Sequence, residues 1–240
     1  MKFELSPEDT ARWGVRSAKA FVTLPGEAVE IANACRRDRV RFVIVRCPAE
    51  QTAAAQALEG EGMRLMDTLV FFSRALGDWS PEPMPYGIST RVLGSAEIDI
   101  ARSIAEEGFR DYAGHYHADP RLNPKQSDAV YVDWSLKLCR STEESSMTLL
   151  ALVDGEPVGY MAFRLRRGQE GEAVLGAVLE RSRRRGVYRA LLGDGITWMR
   201  SRGAEAVMVS SQIANIGVQR VWTRMGFEPH HFLYTFHGWF

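Results

Sequence analysis

The chain has 240 residues, enough for one large domain or two small ones. Thirty lysines and arginines balance thirty aspartates and glutamates, and a net charge near zero argues against broad nucleic-acid binding, which depends on a basic surface. Three scattered cysteines outside any CxxC spacing argue against a disulfide framework or structural zinc and suit reduced thiols; with no bilayer-length apolar run and no apolar leader in Met1–Pro7, a cytoplasmic protein without a membrane partner is expected.

In chain order, Ala20–Thr23 reads as a strand, Gly26–Cys35 as a helix and Val40–Val45 as a buried strand. Pro48 opens a helix to Glu59, and Met66–Phe72 is a third strand. Residues 77–87 carry three prolines and two glycines, which suits an extended linker. The expected division is a small α/β domain at 1–76, the linker at 77–87, and a larger domain at 88–240. Beyond the linker, Ile88–Val92 is a strand and Ala96–Phe109 a helix. A helix with Val130, Trp134 and Leu138 on one face follows. Met147–Val153 and Val158–Phe163 flank Asp154-Gly155, a hairpin turn signal. A strand to Leu179, a helix from Gly186 to Ser201, a strand at Ala206–Ser210, a helix capped by Asn215 and a strand at Phe232–Phe240 complete the order.

The stretch from Glu172 to Phe227 carries the chemistry. An apolar strand meets Arg183-Arg184-Arg185-Gly186-Val187-Tyr188, and a helix follows. A helix start presents unpaired N–H groups and partial positive charge, so it holds phosphate. Gly186 admits an anion to the backbone, and the arginines add forked cations; a plain solvated arginine face is the competing reading.

The spacing Arg183-x-x-Gly186-x-Tyr188 resembles the coenzyme-binding motif of the GCN5-related N-acetyltransferases, whose last position is usually small. Asn215, Val218, Trp222 and Gly226-Phe227 resemble a second feature of that family. Trp13-Gly14-Val15, Gly62-Met63 and Asp67 look like the N-terminal region of its sugar-nucleotide members of the TDP-fucosamine type. The resemblance implies an α/β (α+β) fold, with a mixed central sheet whose adjacent parallel strands splay apart, preceded by a small incomplete α/β domain. It also implies acetyl-CoA (coenzyme A) as co-substrate and a small-molecule amine as acceptor, an amino sugar on a nucleotide above all. The cofactor would lie against Val178, Leu179, Arg183, Arg184, Arg185, Gly186, Val187, Tyr188, Arg189, Asn215 and Trp222.

The family's usual proton donor is a tyrosine at the position of Trp222, which has no titratable proton; Tyr188 and Tyr234 are the substitutes, each weighed against a structural role. Asp67 matches a carboxylate thought to deprotonate the amine, against the alternative that it closes a turn or pairs with an arginine. The loop Phe109–Arg121 supplies Tyr112, His115, Tyr116, His117 and Arg121 for acceptor binding, with His117 a further base. The spacing of His115, His117 and Asp119 also suits metal ligands, but no metal site is assigned. Free amines such as an aminoglycoside, a non-catalytic acyl-CoA sensor and a homodimer stay open.

Overall fold

The computed structural model describes residues 1–81, 83–110, 112–166 and 169–240; Glu82 of the linker and Asp111 of the loop lie outside these. Among the described residues, ten strands form one mixed sheet: β1 (Lys2–Leu5), β2 (Ser17–Phe21), β3 (Phe42–Pro48), β4 (Arg64–Ala75), β5 (Ile88–Val92), β6 (Ser146–Val153), β7 (Glu156–Arg166), β8 (Glu170–Val178), β9 (Ala206–Gln212) and β10 (Glu228–Trp239). The helices are α1 (Pro7–Trp13), α2 (Gly26–Arg37), α3 (Thr52–Gly60), α4 (Ile98–Gly108), α5 (His115–Ala118), α6 (Pro124–Cys139), α7 (Val187–Ser201) and α8 (Ile216–Arg224). Spatial order across the sheet is β1-β2-β3-β10-β4-β9-β8-β7-β6-β5. The segment 77–87 carries no helix or strand among its described residues. Yet β4, which precedes it, lies between β9 and β10, which follow it.

Side-chain alternation along the strands sorts the helices onto two faces. On β7, Phe163 faces α7: a Cβ placed on Gly195 would stand 2.1 Å from its ring, so only a glycine lets the helix sit this close. Tyr160, on the other face, hydrogen-bonds Ser135 of α6. Toward β3 and β10, α2 and α3 cover Val43, Val45, Cys47 and Phe236, while Phe42, Ile44 and Trp239 pack with Tyr116 and Leu122 beneath α5 and α6.

Most expected elements are present, with several differences. Pro48 ends β3 and does not open a helix, so α3 starts only at Thr52. The last strand starts at Glu228 and not at Phe232, and α5 stands within the expected loop. β1 and α1 have no counterpart in the sequence reading; Ser6 caps α1, accepting from the Asp9 amide. β4 runs well past Met66–Phe72 at both ends. In α6 the buried face carries Ser127, Tyr131 and Ser135, whereas Trp134 is 41% exposed, so the expected Val130–Trp134–Leu138 face is not the one turned inward. Hydrogen bonds satisfy the inward serines: Ser127 Oγ donates to Tyr116 O, and Ser135 Oγ to Tyr131 O.

Candidate active site at the parted strands

β8 and β9 are parallel neighbours for only four residue pairs, from Glu170–Ala206 to Ala173–Val209. Beyond them β8 continues to Val178 on β7 alone, and β9 continues to Gln212 on β4 alone. The register of β8 on β7 slips by one residue at Val174, since Ala173 opposes Phe163 and Leu175 opposes Ala162. A bulge bends and twists its strand, and here it coincides with the point of divergence. The result is a wedge between Leu175–Val178 and Ser210–Gln212, with unpaired ladder edges on both sides.

At the mouth of the wedge the chain turns through Arg183–Gly186 into α7. Gly186 is left-handed (φ +92°), a conformation that favours glycine. No side chain caps the first turn of α7, which holds Val187, Tyr188 and Arg189. The three arginines diverge. Arg183 reaches back to Val178 O and Gly108 O at 3.3 Å, Arg184 is itself left-handed, and Arg185 stands 4.0 Å from Asp154. Leu179 N–H is taken by Val158 O at 2.8 Å, so that amide is already paired. Asn215 spends its side chain on structure: Oδ1 accepts from Val218 N as the cap of α8, and Nδ2 donates to Ser211 Oγ at 3.0 Å.

Trp222 is fully buried against Phe72, and its indole N–H donates to Tyr188 Oη at 2.9 Å. An indole nitrogen can only donate, so the phenol accepts there, and its own proton finds no acceptor among the described residues. Burial, with the Tyr112 phenol nearby, pushes the Tyr188 pKa up; the bond from Trp222 opposes this. From the opposite face Tyr112 hydrogen-bonds Gln212 of β9. The wedge is therefore flanked by Tyr188 and Trp222 on one side and by Tyr112 and Tyr131 on the other. Tyr112 and Tyr131 meet edge to face at 4.7 Å.

Next to this aromatic wall lies Asp67 on β4. Both its carboxylate oxygens are buried without a hydrogen bond. Arg46 Nη1 stands 3.8 Å from Oδ1, an ion-pair distance too long for a hydrogen bond, and it donates to Thr235 instead. A carboxylate left this way keeps hydrogen-bonding capacity that the fold does not use.

Several expected site residues stand elsewhere. His117 has both nitrogens engaged, Nδ1 with Gly114 N at 3.2 Å and Nε2 with Asp128 at 3.1 Å, so it ties α5 to α6. Tyr234 packs against the cluster under α2 and α3, on the sheet face away from Asp67. Tyr116 is buried and donates to Asp9 at 3.0 Å, and Arg121 lies over the Trp239 ring at 5.7 Å. His115 is buried and pairs with His237 of β10, a residue the sequence reading did not single out. The alternation of Tyr234 and Phe236 with Thr235 and His237 was the available signal: it sets two polar residues on one inward face of the strand.

Burial first, and then Arg46, lowers the His115 pKa well below its ordinary 6.5, and burial likewise lowers His237 despite its bond to Asp119. Folded histidines that refuse protons which the unfolded chain accepts make stability rise with pH in that window. Unfolding free energy is thus expected to be flat with respect to these groups above pH 6.5. It should fall below that pH toward a limiting slope of about 1.4 kcal/mol per pH unit for His115, and less steeply for His237. Denaturant unfolding between pH 7.5 and 5.5 measures this, and an unchanged midpoint contradicts it.

A family model for the acetyltransferase (GNAT) family matches residues 105–227. The chain belongs to the GNAT acetyltransferase family. It is 22% identical over 203 residues to the spore coat polysaccharide biosynthesis protein SpsD of Bacillus subtilis (strain 168), covering 84% of this chain and 68% of that protein. Among solved structures, a GCN5-related N-acetyltransferase from Sphaerobacter thermophilus superposes with a TM-score of 0.69 at 18% identity, covering 99% of this chain and 76% of that one. A second, from Kribbella flavida, gives 0.64 at 19% identity, covering 94% and 82%. These establish the mixed-sheet acetyltransferase fold. No described helix is long and apolar enough to cross a membrane.

Proposed function

We propose that this chain transfers an acetyl group from acetyl-CoA to the primary amine of a small molecule, with an amino sugar carried on a nucleotide as the acceptor. The observation that carries this reading is the parting of β8 and β9 beyond Ala173 and Val209 beside an uncapped helix start at Gly186. The first-turn amides of α7 and the Arg183–Arg185 cations would take the diphosphate, and the free edge of β8 would take the pantetheine amides. A donor on that edge would polarise the thioester carbonyl as oxyanion donors do.

Asp67, with neither oxygen hydrogen-bonded and Arg46 only at ion-pair distance, would receive the acceptor's ammonium. Tyr112, only half-buried, offers an aromatic surface for a sugar or base, with Tyr131 packed behind it. The sugar acceptor is further supported by the polysaccharide role in the name of the SpsD relative. Tyr188, turned by Trp222 so that its proton is free, would protonate the departing thiolate.

The test is thiol release from acetyl-CoA by the full chain with a panel of amines. Turnover confined to nucleotide-linked amino sugars is the expected result. Turnover with aminoglycosides or polyamines alone would replace the acceptor, and coenzyme A binding without turnover on any amine would leave a sensor in place of an enzyme.

A further inference from the structure

Across β4 from the parted strands lies a buried line of titratable groups that acyl transfer, as described so far, does not use. Asp119 Oδ2 accepts from His237 Nδ1 and from Trp239 Nε1, each at 2.8 Å. His237 Nε2 stands 2.8 Å from His115 Nδ1. Asp119, His237 and His115 are 3%, 1% and 7% exposed, so water does not compete for these bonds.

The bonding pattern fixes where the protons sit. Burial would raise the Asp119 pKa, but the His237, Trp239 and Arg121 N–H donors outweigh it and bring it down to about 2. Asp119 is therefore a carboxylate and can only accept, so His237 holds its hydrogen on Nδ1. Neutral His237 then offers a lone pair at Nε2, which takes the Nδ1 hydrogen of His115. That leaves the lone pair of His115 on Nε2, which has no hydrogen-bond partner among the described residues. The titratable and charged groups acting on His115 are Arg46 of β3, His237 of β10, Lys19 of β2 and His117 of α5. The Tyr116 ring packs on it at 3.9 Å between centroids. Asp67 of β4 acts on His237 and lies within 3.8 Å of Arg46, which ties this line to the proposed ammonium site.

We infer that Asp119, His237 and His115 form a proton relay that removes the proton from the acceptor's ammonium at His115 Nε2, an inference that rests on the acyl-transfer reading above. An N–H bond of the ammonium breaks and one forms at Nε2. The Nδ1 hydrogen of His115 passes to His237 Nε2, and the positive charge comes to rest on His237 against Asp119. The neutral amine attacks the thioester carbonyl and the C–S bond breaks. The thiolate takes the Tyr188 proton, the second proton leaving nitrogen restores Tyr188, and the relay returns its own proton to water when product leaves. His115 is the catalytic group of the three, and His237 and Asp119 position it and hold the charge.

Two measurements test this. In the wild-type chain at neutral pH, nitrogen–proton correlation spectra of the imidazoles are expected to show both histidines protonated at Nδ1. In the amine-acetylation assay Asp119→Asn is expected to lower kcat about 10²-fold or more, with KM for acetyl-CoA unchanged, because it removes the charge that holds the imidazolium. A purely structural role would lower the melting temperature without that split between kcat and KM. Should Asp119→Asn not fold, the wild-type spectra still decide. His115 protonated at Nε2, or full-rate turnover by folded Asp119→Asn, overturns the relay alone. Absence of turnover in the wild type removes the acyl-transfer reading and the relay's role together.

Discussion

Replacing Tyr188 with phenylalanine is expected to lower kcat for acetyl transfer by about 10²-fold, the low end of what a general acid contributes. A thiol of ordinary pKa near 8.5 already leaves tolerably well as thiolate, which sets the low end. KM for acetyl-CoA should not move, because the phenol oxygen is occupied by the Trp222 indole and its proton faces away from that bond. Burial holds the Tyr188 pKa above its ordinary value, so the acid form persists at alkaline pH and Tyr188 adds no limb to the profile below pH 10. The decisive control is an acyl donor whose thiol is more acidic. It needs less help to depart, so the deficit of Tyr188→Phe should shrink with it. An equal deficit for both donors would remove Tyr188 from proton transfer.

The largest effect on stability is expected at Trp222. Its side chain is 1% exposed and packs on Phe72 at 5.4 Å between ring centroids. Trp222→Ala should cost about 3–5 kcal/mol of unfolding free energy, from lost transfer energy and the cavity left behind. For a chain of this length that is a fall of roughly 10 °C in melting temperature. Trp222→Phe separates packing from orientation. It keeps most of the buried surface but leaves Tyr188 without the donor that turns its hydroxyl, so activity should drop more than stability does. A Trp222→Ala protein that melts with the wild type would refute the packing role.

Much of the wedge was legible because it is built from local chain. The strand to Leu179, the turn at Gly186 and the helix behind it are contiguous, and their apolar and glycine spacing carries the geometry. What lay out of reach depends on pairing between distant strands. The bulge at Val174 exists only because β7 places Ala162 and Phe163 opposite Leu175 and Ala173. Nothing local marks it. The same holds for the roles of the histidines. His115 and His117 differ by two positions, and four-residue α5 turns one toward β10 and the other toward α6. Tyr234 carries a reactive group of the right kind, but strand alternation sends it to the other side of the sheet. Trp222 was read as a departure from the expected tyrosine; its contact with Tyr188, 34 positions earlier, is what gives that departure a chemical meaning.

The position of β4 has a consequence for how the chain is made. Its hydrogen-bonding partners on both edges are β9, beginning at Ala206, and β10, beginning at Glu228. During synthesis β4 emerges with neither neighbour in existence and must stay an unsatisfied ribbon until both have left the ribosome. Asp67 and the wall beside it are assembled in that late step. A nascent chain stalled after the linker is thus expected to expose an apolar strand to chaperones and to lack an acceptor site, and severing the chain within 77–87 should yield fragments that recover activity only by coming together again.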